Sequence, residues 1–320
     1  MEQNNPKVSV VVLVYNQERT ITRTFDHILN QKTSFDYEII VGEDCSIDNS
    51  RLICEEYAEL YKDKIKLLPQ APNKGLLINY RDCLAKCTGE YIAVCAGDDW
   101  WHNSKKLQIQ VEFMDAHPES VLVFTNYDIF HAAYNKYSHS VLPAESLNTR
   151  GIIDKLLRGF FLPTLTILYR RRLLQYIDLN EFKKRGYQAE DLPMFLEFAL
   201  HGSLDCINVS TSTYTAMAGS LSHFDNTQKM ERFMLNMRDI KINFIETHPD
   251  ITSVLPQEII VLYNRLIFNA SFALLDRGKA LQYVKMISVL YPIERKKKMV
   301  CKIRPLFGLY CLLKKFFKRG

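Results

Sequence analysis

The order of apolar and amphipathic segments predicts an α/β protein built on a doubly wound, mostly parallel sheet with flanking helices, followed by a C-terminal helical appendage. Three observations carry this. Val8–Val14 reads VSVVVLV, β-branched and apolar throughout, as a strand buried on both faces must be. Two more apolar runs, EIIV at 38–41 and YIAVC at 91–95, alternate with segments of helical period. Polar turns end the runs, at Tyr15-Asn16, Glu43-Asp44 and Gly97-Asp98-Asp99. In such sheets ligands bind outside the carboxyl ends of the strands.

In chain order, a helix over 18–30 follows the first strand, and 38–41 is the second. Residues 48–61 form a helix capped by Asp48 or Ser50, 64–68 a third strand, and 75–87 a helix stopped at Thr88-Gly89. The fourth strand spans 91–95. An amphipathic helix over 105–117 closes at Pro118, and 121–126 is a further strand. Residues 127–160 read as mixed and loop-rich. A strand over 162–169, a helix over 170–176 and a helix over 191–201 come next. The expected organisation is an α/β domain over 1–230, a helical appendage over 231–293 and a basic tail over 294–320.

With 320 residues, 47% hydrophobic and 24% charged, the chain has the composition of an ordinary folded protein with a sizeable core. The net charge of +5 is unevenly spread. From Glu294 onward there are ten Lys or Arg and one acid, a net +9, which leaves the remainder at −4. A slightly acidic body does not point to a nucleic-acid partner, so the tail needs its own explanation. Cys83 and Cys87 lie one helical turn apart, but no second Cys or His pair accompanies them, and they read as buried thiols. No apolar leader precedes the first strand and no run of eighteen apolar residues occurs, so the reducing cytosol is the expected compartment.

Three acidic pairs, Glu43-Asp44, Asp98-Asp99 and Glu190-Asp191, fall at strand ends or nearby loops and point to one site. Adjacent carboxylates on a tight turn repel unless a cation lies beside them. Mg²⁺ or Mn²⁺ takes one or two carboxylates and completes its shell with phosphate oxygens. Each pair can equally cap a helix.

Taken in order, VSVVVLVYN, EIIVGEDCSIDNS, NKG, TGEYIAVCAGDDWW and KLQIQ resemble the family 2 glycosyltransferases of the GT-A fold, a Rossmann-like architecture. The likeness is continuous over about the first 125 residues, and Glu190-Asp191 and YTAMAGSLSH at 214–223 extend it to about residue 225. It implies inverting transfer of a sugar from a nucleotide-diphosphate sugar to a saccharide or lipid-linked saccharide, with Mg²⁺ or Mn²⁺. Carried over by position, Tyr15 lies against the nucleobase, and one of Glu43 and Asp44 accepts a hydrogen bond from it. Asn73 and Gly75 match the N-x-G turn near ribose and base. Asp98 and Asp99 match the D-x-D region that contacts ribose and metal. Asp191 matches the general base, with Glu190 beside it, and His223 is a candidate metal or diphosphate ligand. A carboxylate suits the base role because the acceptor hydroxyl must lose its proton as it attacks, and a helix N-terminus favours its ionised form.

The chain departs from the pattern at Ala96, where the first acid of D-x-D is usual, and at Leu13, where proline is common. The arginine after N-x-G is Tyr80 here, with Arg81 next to it as the candidate. Tyr214-Thr215 replaces Tyr-Arg. Trp100, Trp101, Phe160 and Phe161 either stack on sugar rings or pack the core. The tail, with Leu306, Leu309, Tyr310, Leu313, Phe316 and Phe317 on one helical face and basic residues around it, has the composition of a helix lying in an anionic membrane surface. That implies a peripheral position at the inner face of the membrane. The competing readings are a sugar nucleotidyltransferase, against which the non-basic, glycine-free Tyr15-Asn16-Gln17-Glu18 counts, and a non-catalytic saccharide-binding protein.

Overall fold

Strands β1 (Val8–Val14), β2 (Tyr37–Glu43), β3 (Ile65–Leu67) and β4 (Tyr91–Ala96) run parallel in the order β3-β2-β1-β4 in the computed structural model, which describes residues 5–143, 148–216, 226–289 and 291–317. β1 is central and takes both neighbours in register, with Leu13 level with Gly42 of β2 and Ala96 of β4. Every residue of β1 except Leu13 is buried, as its unbroken apolar run requires.

The connecting helices are α1 (Ile21–Leu29), α2 (Ser50–Leu60) and α3 (Leu76–Leu84), and α4 (Lys106–Ala116) follows β4. Val10, Val12 and Val14 of β1 pack with Ile21, Phe25 and Ile28 of α1, Cys54 of α2, and Leu107, Val111 and Met114 of α4. Burying each such large side chain contributes about 1.5–3 kcal/mol. α3 lies close against β2: Asn79 Nδ2 donates to Gly42 O at 2.8 Å, and a Cβ on Gly42 would stand 2.4 Å from Cys83 Sγ.

Beyond β4 the sheet continues with β5 (Ser120–His131), β6 (Lys136–Ser138), α5 (Ile152–Leu157), β7 (Leu168–Arg170), α6 (Leu179–Lys184), α7 (Asp191–Phe198) and β8 (Ser203–Ala216). β7 is antiparallel to β4 and to β5, β6 is antiparallel to β5, and β8 is parallel to β5. Two sequence expectations change here. The strand expected over 162–169 is a 3-10 turn at Thr164–Thr166 followed by short β7, because Pro163 has no N–H for a ladder and its carbonyl instead accepts from Thr166 Oγ1 at 2.7 Å. The helix expected over 170–176 is also 3-10, at Arg171–Tyr176. Long β8, SLDCINVSTSTYTA, had no counterpart in the sequence reading.

Contacts divide the chain into two compact units, Met1–Met217 and Ala218–Gly320. The second consists of α8 (Thr227–Thr247), α9 (Pro256–Ala273), α10 (Arg277–Val284), α11 (Pro292–Lys302) and α12 (Arg304–Phe317). Asn226 caps α8 through Gln228 N at 2.7 Å, and Asp276 caps α10 through Lys279 N at 2.9 Å. The core of this unit includes Phe268, Phe272, Tyr283, Cys301 and Phe307. Tyr310 packs 4.8 Å from the Phe272 ring, so it lies on the inner side of α12 rather than beside Leu306 and Leu309, which are exposed with Leu312. The side chains of Leu313, Phe316 and Phe317 lie outside the described ones. All eight cysteines are free thiols. Among the described residues no helix is long and apolar enough to cross a membrane.

Candidate active site

The level ends of β2, β1 and β4 put three polar turns side by side. Asp44 N donates to Val14 O at 3.0 Å and Gly97 N donates to Leu13 O at 3.0 Å, so the turns after β2 and β4 both hang from the end of β1. Tyr15, half exposed, leaves β1 between them. Asn16 has φ 53°, and its side chain accepts from Ile47 N at 2.9 Å while its N–H donates to Ser46 Oγ at 2.9 Å.

The Glu43-Asp44 pair divides into two roles. Glu43 is buried, with Oε1 accepting from Ser46 N at 2.6 Å, Oε2 without a hydrogen bond among the described residues, and Arg51 at 4.0 Å. Asp44 organises the N-x-G turn: its carboxylate accepts from Lys74 N at 2.8 Å and Gly75 N at 2.9 Å, and its carbonyl accepts from Asn73 Nδ2 at 2.8 Å. Gly75, at φ 80°, starts α3 in a conformation that other residues seldom adopt. Asp44, Asn73 and Gly75 are thereby one hydrogen-bonded unit.

Asp98 and Asp99 occupy the turn after β4, and the structure separates them. Asp99 is buried, its Oδ1 accepts from Thr215 N at 2.9 Å, and its carbonyl accepts from Thr24 Oγ1 at 2.6 Å. Asp98 is partly open, and its carbonyl accepts from the Thr215 hydroxyl. Burial pushes both carboxyls upward. The Asp98 charge pushes Asp99 further, while Arg23 pulls both down. Gly97 admits the chain here, since a Cβ would meet Gln17 Oε1 at 2.4 Å.

Glu190 and Asp191 begin α7. The Asp191 carboxylate accepts from Leu192 N at 2.6 Å, as a first-turn acid does. Burial nevertheless raises Asp191, and burial followed by the Asp191 charge raises Glu190. Among the described residues no hydrogen bond joins this pair to Asp98 or Asp99. Arg81 donates to Asp82 and, at 2.6 Å, to Asn180 Oδ1 of α6; Asp82 also accepts from Lys74 Nζ of the N-x-G turn at 2.8 Å, so among the described residues Arg81 is joined to that turn through Asp82. His223 lies outside the described residues.

Of the four aromatic residues considered as sugar platforms, Trp101 is fully buried and donates from Nε1 to Leu165 O at 3.0 Å, and Trp100 is 5% exposed; both are core. Phe160 packs on Phe124, and Phe161 is exposed. The sequence reading missed Arg23 and Thr24 on α1, and it treated Thr215 only as a departure from a pattern; all three touch the Asp98-Asp99 turn or its partners. No local signal marks them, because α1 and β8 reach the turn only through the tertiary fold. A cavity of about 300 Å³ lined by Glu90, Arg170, Arg171 and Arg172 lies instead by the amino end of β4 and includes none of these acids.

The profile of glycosyl transferase family 2 matches residues 9–177, more than half of the chain, and the protein belongs to that family. An uncharacterized Mycobacterium tuberculosis protein is 34% identical over 165 residues, covering 52% of this chain and 47% of its own length. The chain thus spans about half the length of that relative. The putative glycosyltransferase EpsE of Bacillus subtilis is 32% identical over 199 residues, 62% of this chain and 69% of EpsE. In fold, the chain is similar to S. aureus TarS solved with UDP-GlcNAc (TM-score 0.52, 18% identity, 96% of this chain and 92% of that one). It is similar also to the mannosyltransferase PcManGT of Pyrobaculum calidifontis solved with GDP-Man and Mn²⁺ (TM-score 0.53, 14% identity, 98% and 89%). The mixed sheet with flanking helices is the GT-A fold.

Proposed function

We propose that this chain transfers a sugar from a nucleotide-diphosphate sugar to a saccharide or lipid-linked saccharide, with inversion. The observation that carries the reading is the level register of β1, β2 and β4, which gathers Tyr15, the Asp44–Asn73–Gly75 unit and Asp98-Asp99 along one sheet edge. In this reading the nucleoside lies along Tyr15 and the Asp44 unit, and Glu43 supports the turn from beneath. Asp98, the more open acid, faces the diphosphate. Asp99 is tied to Thr215 and holds the turn in shape.

The donor chemistry of the Asp98 position fits Mg²⁺ or Mn²⁺: an oxygen ligand, partly open, whose ionised form is otherwise balanced, among the described residues, by Arg23. Among the described residues no group of three or more His, Cys, Asp or Glu could hold a metal alone. Asp98 would therefore share an ion with substrate oxygens and water, with Asp99 beside it and His223 a further candidate. When bound, the ion supplies charge neutralisation for the leaving diphosphate.

Asp191 takes the proton from the acceptor hydroxyl. Glu190, raised first by burial and then by the Asp191 charge, carries the proton that lets its neighbour stay ionised. We infer also that α11 and α12 rest on an anionic membrane surface. Ile293, Met299, Ile303, Leu306, Leu309 and Leu312 are exposed, and Arg295, Lys296, Lys302 and Arg304 are exposed among them. A panel of nucleotide sugars with Mn²⁺, read by thermal shift and then by donor hydrolysis, tests the function. Stabilisation by at least one donor, followed by release of its nucleoside diphosphate, supports it. Release of pyrophosphate from a nucleoside triphosphate and a sugar phosphate would favour the nucleotidyltransferase instead.

A further inference from the structure

Helix α1 is fastened to the acidic turn. Thr20 Oγ1 donates to Gly97 O at 2.8 Å, and Thr24 Oγ1 donates to Gly97 O at 3.1 Å and to Asp99 O at 2.6 Å. The two threonines are one helical turn apart, so the Arg23 between them is delivered to the same place. Its guanidinium carbon lies 3.5 Å from the centroid of the Trp100 ring, and Nη2 donates to Thr215 Oγ1 at 3.4 Å. Arg23 Nε is buried with no hydrogen-bond partner among the described residues. A guanidinium held flat on an indole keeps its in-plane donors for an acceptor, and an oxyanion matches that edge best. Packing on Trp100 alone would not need a charge, and an unpaired buried N–H has a cost unless something fills it.

We propose that Arg23 is a resident cation of the diphosphate position, donating to the leaving diphosphate beside Asp98, so that nucleoside diphosphate binding persists without a divalent ion. The proposal rests on the nucleotide-sugar reading above. It makes the site partly self-neutralising: Asp98 and Asp99 attract an ion, and Arg23 opposes it while attracting phosphate.

Calorimetric titration of the full chain with UDP and with GDP, each in Mn²⁺ and in EDTA, tests it on the wild type, Arg23→Gln and Arg23→Lys. The wild type should bind one of the two nucleotides in EDTA. Arg23→Gln should weaken that binding at least tenfold, about 1.4 kcal/mol, with a smaller loss in Mn²⁺, and Arg23→Lys should recover part of it. Mn²⁺ alone, followed by its paramagnetic resonance signal, should bind Arg23→Gln more tightly than the wild type, a change that loss of ring packing would not produce. If neither nucleotide binds the wild type in either buffer, the nucleotide-sugar reading fails. If one binds in Mn²⁺ and none in EDTA, or if Arg23→Gln matches the wild type in EDTA, the Arg23 proposal is overturned and that reading stands. The EDTA arm on the wild type decides even if Arg23→Gln does not fold.

Discussion

Lys106, the first residue of α4, is fully buried just beyond the acidic turn, and its replacement by methionine should change how stability depends on pH. Nζ donates to Gln110 Oε1 at 2.5 Å and sits 4.3 Å from the centroid of the Trp101 ring. No carboxylate pairs with it among the described residues, and burial lowers it from 10.5 to about 7. That difference of roughly 3.5 units, at about 1.4 kcal/mol each, makes the protonated fold costlier than the neutral one by roughly 5 kcal/mol. The sign follows from proton counts. Between about 7 and 10.5 the unfolded chain holds the proton and the folded one does not, so stability rises with pH. Below about 7 both states are protonated and the penalty is carried in full. Lys106→Met keeps the apolar stem, removes the titration and leaves the buried Gln110 Oε1 without this donor, at about 1–3 kcal/mol. Gln110 keeps its donations to Val123 O and Thr166 O. Urea denaturation at pH 6, 8 and 10 should find the variant more stable at pH 6 by a few kcal/mol, with the advantage shrinking by up to about 4 kcal/mol at pH 10. A difference between the two proteins that stays constant across pH would mean that Lys106 keeps its charge inside the fold and is not shifted by burial.

Asp191→Asn should leave nucleotide affinity nearly unchanged and cut turnover about 10²–10⁴-fold, since an amide oxygen can still accept from Leu192 N; with Asp191 raised by burial, wild-type kcat should climb as pH rises through the acidic range. Should Glu190→Gln have that effect instead, the roles are exchanged. Asp98→Asn should abolish Mn²⁺-dependent donor binding without loss of thermal stability, measured by titration and melting. Asp99→Asn should keep the Thr215 N bond and shed a charge that burial disfavours. Its stability relative to wild type should therefore be greater at pH 8 than at pH 5, because a raised acid loses stability as pH climbs. For the membrane reading, Leu309→Glu with Leu312→Glu is a cleaner test than truncation, because deleting 295–320 would remove Cys301 and Phe307 from the core of the second unit. The double variant should lose co-sedimentation with anionic vesicles, and wild-type binding should weaken at 1 M salt, where the Debye length is about 3 Å. Equal sedimentation of both proteins would contradict that reading.

The parallel core was readable because its signals are local. VSVVVLV needs no partner to declare a strand buried on both faces, and the acids at 43–44 and 98–99 stand at the carboxyl ends of their strands. The N-x-G turn was found as a motif, but its tie to Asp44 was not, since the bond spans some thirty residues. β8 escaped because SLDCINVSTSTYTA is rich in Ser and Thr, and four of its five buried residues (Thr211, Ser212, Thr213 and Thr215, beside Leu204) are polar residues in a strand paired with β5, with no apolar alternation to mark it. The 162–169 segment misled in the other direction, being apolar enough for a strand but broken by Pro163. Tyr310 was assigned to the wrong side of α12 because apolar residues occur on more than one face of that helix, and the contact with Phe272 of α9 that orients it lies in the fold. Arg23 and Thr24 sit mid-helix, where an arginine and a threonine ordinarily report nothing. They gain meaning only because Thr24 lies against a carbonyl seventy-five positions away.

The most direct test of the nucleotide-sugar site is a crystal of the chain grown with Mn²⁺ and UDP or GDP, with data collected at the manganese absorption edge. An anomalous peak is expected within coordination distance of the Asp98 carboxylate, with the diphosphate beside it and the base between Tyr15 and the Asp44–Asn73–Gly75 unit. Manganese away from Asp98, or a nucleotide seated in the cavity lined by Arg170, Arg171 and Arg172, would contradict that placement.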